Sequence, residues 1–347
     1  MTHSRFGSIS KQPNGTFRAY ATIGGKRVSR RGFETKADAV SWLALQRVTD
    51  APHTATTFSE YWQAVVEPSL ERLAPKTAHE YRRIWKGTLE PILGVLVASS
   101  IDRATVQRAM DTIESPSAQR HTHAVLRKIC RMAMRDGVIQ SDPTIGITLH
   151  KAARRPREVM DVANLDSWLT LVHGYRHEAR MLLMLGCGLS VSEAYAVDML
   201  RDVEGLDGGR VAVSVSKTLV DVGGHAVLNG TAKTEFRERT VVLGHPFATV
   251  FESALPAPSL TSPSSASRSW REWQLRRGVE KPSAPSDLRP TFACWCAEAG
   301  LSDSLIAKAM GHAGNTTAAR HYQRATLRSM TLVADALAAY CADFAPL

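Results

Sequence analysis

The chain of 347 residues is 44% hydrophobic and carries a formal charge of +10, with enough apolar content for two or three modest cores. No stretch reads as a membrane span or a signal peptide. Five cysteines (Cys130, Cys187, Cys294, Cys296, Cys341), odd in number, scattered and without zinc spacing, argue against a disulfide scaffold or a metal site and for a soluble protein of the reducing cytoplasm.

The positive excess lies wholly in the first 154 residues. Residues 1–50 hold 9 Lys+Arg against 3 Asp+Glu, residues 51–154 hold 14 against 10, and residues 155–347 hold 20 against 20. That is the pattern of nucleic-acid-gripping modules attached to a neutral domain.

Residues 6–50 alternate apolar and polar positions around Asn14-Gly15 and Gly24-Gly25, then change to helical spacing at Ala37, Val40, Trp42 and Leu43, which predicts a three-stranded sheet with one helix packed on it. Lys26, Arg27, Arg30 and Arg31 crowd the third strand. A polar connector over 51–57 leads into a wholly helical pattern from Phe58 to about Ile147, with helices around Trp62, Tyr81 to Trp85, Val106 to Ile113 and Ala124 to Ala133. Lys76, Arg82, Arg83, Arg120, Arg127 and Lys128 are its candidate phosphate contacts, provided they cluster on one face. A basic, Pro-broken stretch from Ile147 to Val159 reads as a linker.

Helices resume at Val162 and include Met181 to Met199. Arg210 to Leu243 is strand-rich with Gly-containing turns, and 256–267 is a Pro/Ser-rich loop. From Ser286 to Tyr322 three helices are predicted. Ser286 or Asp287 caps the first, which carries Phe292, Trp295 and Cys296; Ser302 caps the second, which ends at Gly311; Asn315 caps the third. Arg289 falls in a first helical turn, where free backbone N–H groups favour an anion. The final helix carries Leu327, Met330, Val333, Ala334 and Leu337 on one stripe.

An Arg in Leu288-Arg289, a His in Gly311-His312 and Tyr322 eleven residues after that Gly resemble the signature of the tyrosine recombinases, the phage integrase family of site-specific DNA recombinases. The family's H-x-L-R-H reads Ser286-Asp287-Leu288-Arg289-Pro290 here, and its G-L-R-x-x-E reads Gly188-Leu189-Ser190-Val191-Ser192-Glu193. Ser190 and Ser286 therefore stand where the family has a catalytic Arg and a His. Lys233, in Ala232-Lys233-Thr234 ahead of an apolar strand, resembles the family's catalytic Lys on a β-hairpin.

The resemblance implies a multidomain α+β architecture: an arm-type DNA-binding domain over 1–52, a helical core-binding domain over 56–150, a mainly helical catalytic domain with a small antiparallel sheet over 155–326, and a tail helix over 327–347. It further implies that Tyr322 attacks a DNA phosphate to give a 3′-phosphotyrosine, with Arg289 and His312 on the phosphate oxygens, Lys233 protonating the leaving 5′-oxygen, and neither metal nor cofactor. Double-stranded DNA at arm-type and core-type sites, a homo-oligomer on DNA culminating in a tetrameric synapse, and a nucleoid-associated cytoplasmic location follow from the same likeness. The tail stripe is expected on a neighbouring protomer or on its own domain. Loss of one phosphate-clamping Arg can cost 10³-fold or more, so the reading is an attenuated integrase unless Arg180 or Arg201 fills the gap. Its rivals are a non-cutting DNA-binding or synapse-assembly relative and, more remotely, a topoisomerase-like nicking enzyme.

Overall fold

The computed structural model describes residues 7–23, 26–49, 56–151, 158–229, 238–254, 261–312 and 325–344. Two compact units, Met1–Ala152 and Ala153–Leu347, divide the chain.

In the first unit, β1 (Gly7–Lys11), β2 (Phe17–Ile23) and β3 (Lys26–Phe33) form the expected antiparallel sheet in the order β1-β2-β3, followed by α1 (Lys36–Thr49). Alternation along β2 turns Ala19 and Ala21 inward against α1, where Ala39 meets them, and all three are buried. The small side chains let helix and sheet approach closely, and the period of two sends Arg18 and Tyr20 to the opposite, open face.

The helical part of this unit begins at α2 (Phe58–Tyr61), which Thr57 and Glu60 start with a reciprocal capping box. It continues through α3 (Pro75–Ile84), α4 (Arg103–Asp111) and α5 (Pro116–Arg135). Its core is aromatic: the Trp62 and Trp85 rings stack with centroids 4.5 Å apart, and Phe58 meets Trp85 edge-on.

The second unit is built around α7 (Glu178–Cys187), every residue of which is buried, with α6 (Leu165–Val172) before it and α8 (Val191–Ala194) after it. A three-stranded antiparallel sheet in the order β4 (Val203–Leu206), β5 (Arg210–Val215), β8 (Arg239–Leu243) packs on α7 through β8. Between β5 and β8, the strands β6 (Thr218–Val222) and β7 (His225–Asn229) pair as a separate two-stranded sheet, and β6 packs on α8. The helices α9 (Phe247–Ser253), α10 (Pro263–Arg276), α11 (Leu288–Glu298) and α12 (Asp303–Met310) complete the layer.

The tail helix α13 (Leu327–Cys341) packs on its own unit: Met330, Val333, Ala334, Leu337 and Cys341 are buried against β8, α11 and α12. Of the five thiols only Cys294 reaches the surface, and Cys130, Cys187, Cys296 and Cys341 are buried. No helix among the described residues is long and apolar enough to cross a membrane.

Candidate functional site

Two helix ends and two helix starts converge in the second unit. The first end is that of α7, where Gly188 takes φ +67, and a Cβ there would lie 2.3 Å from the Phe292 ring. Only glycine allows both that backbone and that contact. The second is that of α12, where Gly311 takes φ +66 and the His312 backbone N–H donates back to Ala307 at 2.9 Å, as the sequence led one to expect. His312 thus leaves the helix and is exposed.

Ser190 caps α8: its hydroxyl accepts from the Glu193 backbone N–H, and the Glu193 carboxylate accepts from the Ser190 backbone at 2.8 Å. Arg289 starts α11. The expected side-chain cap by Ser286 or Asp287 is absent, because 285–287 form a 3₁₀ turn in which the Asp287 carboxylate accepts from the Ala284 N–H instead. Pro290 is tolerated in the first helical turn, whose N–H groups have no intrahelical acceptor.

These elements surround an open pocket of about 460 Å³ whose lining includes Ser190, Ser192, Glu193, Ser286, Arg289 and His312. Arg289 is held from three sides. Its Nη1 donates to Gly188 O at 2.7 Å and to Glu193 Oε2 at 3.1 Å, while its Nη2 donates to Met310 O at 2.6 Å and lies 3.1 Å from His312 Nε2. Its side chain remains 17% exposed toward the pocket, whereas that of Glu193 is 3% exposed.

Glu193 is the hub. Besides Arg289 and the Ser190 backbone, it accepts from the Ser190 hydroxyl at 2.7 Å on Oε2 and from Arg239 Nη1 at 2.9 Å on Oε1. Burial pushes its pKa up, but the Arg239 charge and hydrogen bond, the Ser190 N–H and the Arg289 charge outweigh burial and hold it down at about 2. Arg239, at the start of β8, also donates from Nε to Ala309 O at 2.7 Å. Sequence reasoning gave neither Glu193 nor Arg239 a role. The signal for the second was a charged residue opening an otherwise apolar strand.

Lys233 and Tyr322 lie outside the described residues. Neither arginine considered as a stand-in reaches the pocket. Arg180 is buried, donates to Ala194 O and Val197 O and stacks on Tyr195; Arg201 is exposed, pairs loosely with Asp198 and faces a different depression beside β4.

Of the candidate DNA contacts, Arg27 and Arg31 share the open face of the sheet with Arg18, which sequence reasoning missed. Register pairs Arg18 with Arg31 and Thr22 with Arg27, and the Tyr20 ring lies between the guanidiniums of Arg18 and Arg27 at 4.7 and 4.8 Å. Arg30 alternates to the other side and lies over Phe33, and Lys26 begins the strand. On α5, Arg120, Arg127 and Lys128 are exposed along one stripe that continues to Arg131 and Arg135, and the helix carries no acidic residue. Lys76 is exposed at the start of α3. Arg82 and Arg83 are engaged by Glu67 and Glu80, at 2.6 and 2.7 Å. Among the described residues no group of three or more His, Cys, Asp or Glu side chains could hold a metal ion.

Residues 158–328 match the phage integrase family. The fold is similar to that of the Tn1549 transposon integrase bound to circular intermediate DNA (15% identity, 81% of this chain and 99% of that one, TM-score 0.62). It is also similar to the lambda integrase dimer bound to a COC′ core site (13% identity, 93% and 96%, TM-score 0.56) and to the lambda integrase tetramer bound to a Holliday junction (15% identity, 93% and 97%, TM-score 0.55). No curated protein sequence matches the chain.

Proposed function

Because the chain belongs to the phage integrase family, the tyrosine recombinases, we propose that it binds double-stranded DNA and recombines it site-specifically, cutting and rejoining strands through a 3′-phosphotyrosine on Tyr322. The observation that carries this reading is the convergence of Arg289 and His312, 3.1 Å apart, on one open pocket that Ser190 and Ser286 also line. Guanidinium and imidazole side by side on a pocket wall suit the non-bridging oxygens of a phosphate diester, and the carbonyl and carboxylate acceptors behind Arg289 pre-orient its fork. Tyr322 supplies the nucleophile and Lys233 the proton for the leaving 5′-oxygen. The bond energy is kept in the phosphotyrosine until a 5′-hydroxyl attacks it. The DNA complexes of the Tn1549 and lambda relatives support a nucleic-acid partner, and the lambda dimer and tetramer support assembly on it.

The second reading is a relative that binds DNA or joins a synapse without cutting. What favours it is the pair of serines in the pocket, above all Ser190, whose hydroxyl is turned back onto Glu193. The two readings separate on a nicked suicide duplex carrying the chain's own site, selected beforehand by binding to a random duplex library. A covalent protein–DNA adduct that disappears in Tyr322→Phe supports the recombinase. Tight binding without any adduct supports the non-cutting relative.

A further inference from the structure

Glu193 presents a difficulty that the arrangement itself resolves. A buried carboxylate 3.1 Å from Arg289 would, alone with it, form a pair of zero net charge, and an incoming phosphate would meet little attraction. Arg239 occupies the other carboxylate oxygen at 2.9 Å, and its side chain is only 1% exposed, so it faces the carboxylate and not the pocket. The three side chains together carry one positive charge, and the arginine nearest the opening is Arg289. The same Arg239 donates to Ala309 in the last turn of α12 and lies beneath Gly311, whose absent Cβ would be 2.8 Å from Nη1.

We propose that Arg239 is a positioning residue whose charge offsets Glu193, so that Arg289 keeps its own charge for the phosphate while Glu193 still orients it. This rests on the reading of Arg289 as the phosphate-binding group. The competing account is a buried ion pair that merely holds β8 to α8. The two differ in what happens when both charges are removed. If only structure matters, losing Glu193 and Arg239 together is no better than losing Arg239. If charge balance matters, the double change returns one positive charge to the pocket.

The test is a double-mutant cycle on the full chain, with inorganic phosphate as the probe and the His312 imidazole resonance as the NMR readout, alongside thermal stability. Arg239→Met should weaken phosphate by about tenfold or more, Glu193→Gln should tighten it about threefold or more, and Glu193→Gln/Arg239→Met should return to within about threefold of wild type. Arg239→Lys keeps the charge and should keep the affinity. Glu193→Gln should lower thermal stability while raising affinity, a divergence that a purely structural role would not produce. A double variant as weak as Arg239→Met, or a Glu193→Gln that binds no tighter than wild type, overturns the proposal. The second criterion holds even where Arg239→Met does not fold. A wild-type chain whose His312 resonance ignores phosphate would overturn the phosphate reading of Arg289, and this proposal with it; failure of the cycle in a chain that does bind phosphate overturns this proposal alone.

Discussion

Ser190 has two connections that a family-type arginine at its position would change: it caps α8 and it donates to Glu193. Ser190→Arg is therefore expected to act in opposite directions. Loss of the cap should cost about 1 kcal/mol, lowering Tm by about 2–4 °C. The added planar fork should raise covalent adduct formation on the suicide duplex by on the order of 10²-fold. Ser286→His should help less, since His312 already places an imidazole at the pocket, and the two gains should not add because both groups would act on one phosphate. An Arg variant that loses stability and gains no adduct would show that charge at position 190 is not what limits the site.

His177 makes a separate case at the same scale. It is fully buried between the Tyr175 and Tyr195 rings, and neither ring nitrogen has a hydrogen-bond partner among the described residues. Burial, with help from the nearby Arg176 and Arg180 charges, lowers its pKa from 6.5 to about 4. A depressed histidine stays neutral in the fold while the unfolded chain takes up a proton, so its contribution is intact above pH 6.5 and lost as pH falls from 6.5 toward 4. The loss should be on the order of 3 kcal/mol, and His177→Phe should flatten the stability profile in that window when unfolding is followed by denaturant titration.

At the scale of elements, α13 is a structural member of its unit. Leu337→Ala should cost about 2–4 kcal/mol, measured as a shift in denaturant midpoint, and removal of the helix should prevent the second unit from folding rather than yield a folded chain that fails to assemble. The helix was legible in sequence because its apolar stripe is local; which surface the stripe covers is not, since that depends on β8, α11 and α12. The same distinction runs through the chain. Ser302 and Gly311 bound α12 as read, because a cap and a left-handed glycine act within one turn. Asp287 stands at the N-cap of α11 as read, but its carboxylate does not cap the helix, because residues 285–287 make a 3₁₀ turn that takes it up. The β6–β7 pair was lost within a single strand-rich stretch, since nothing local says that β5 passes over it to pair with β8. At the pocket, motif spacing found Arg289, His312, Ser190 and Ser286, but the role of Glu193 became readable only once Arg239, 46 residues downstream, was seen against its other oxygen.

At the scale of the whole molecule, the charge asymmetry acquires faces. The first unit presents Arg18, Arg27 and Arg31 on the open side of its sheet and a basic stripe along α5, whereas residues 155–347 are balanced at 20 charges of each sign. A fragment ending at residue 152 should bind duplex DNA with an affinity that falls by about 10³-fold or more between 50 and 200 mM salt, and a fragment from residue 155 should bind weakly with a shallow dependence. Equal slopes in gel shifts across salt would contradict this.

The burial of four thiols out of five has a practical corollary. Burial raises Cys130, Cys296 and Cys341 to about 12 and pushes Cys187 up as well, so these are protonated as well as shielded at neutral pH. A maleimide dye offered to the folded native chain should therefore stop at one label per molecule, on Cys294 of α11. Mass spectrometry would check the stoichiometry. If it holds, the unmutated protein is ready for single-molecule fluorescence, with a reporter five residues along the helix from Arg289.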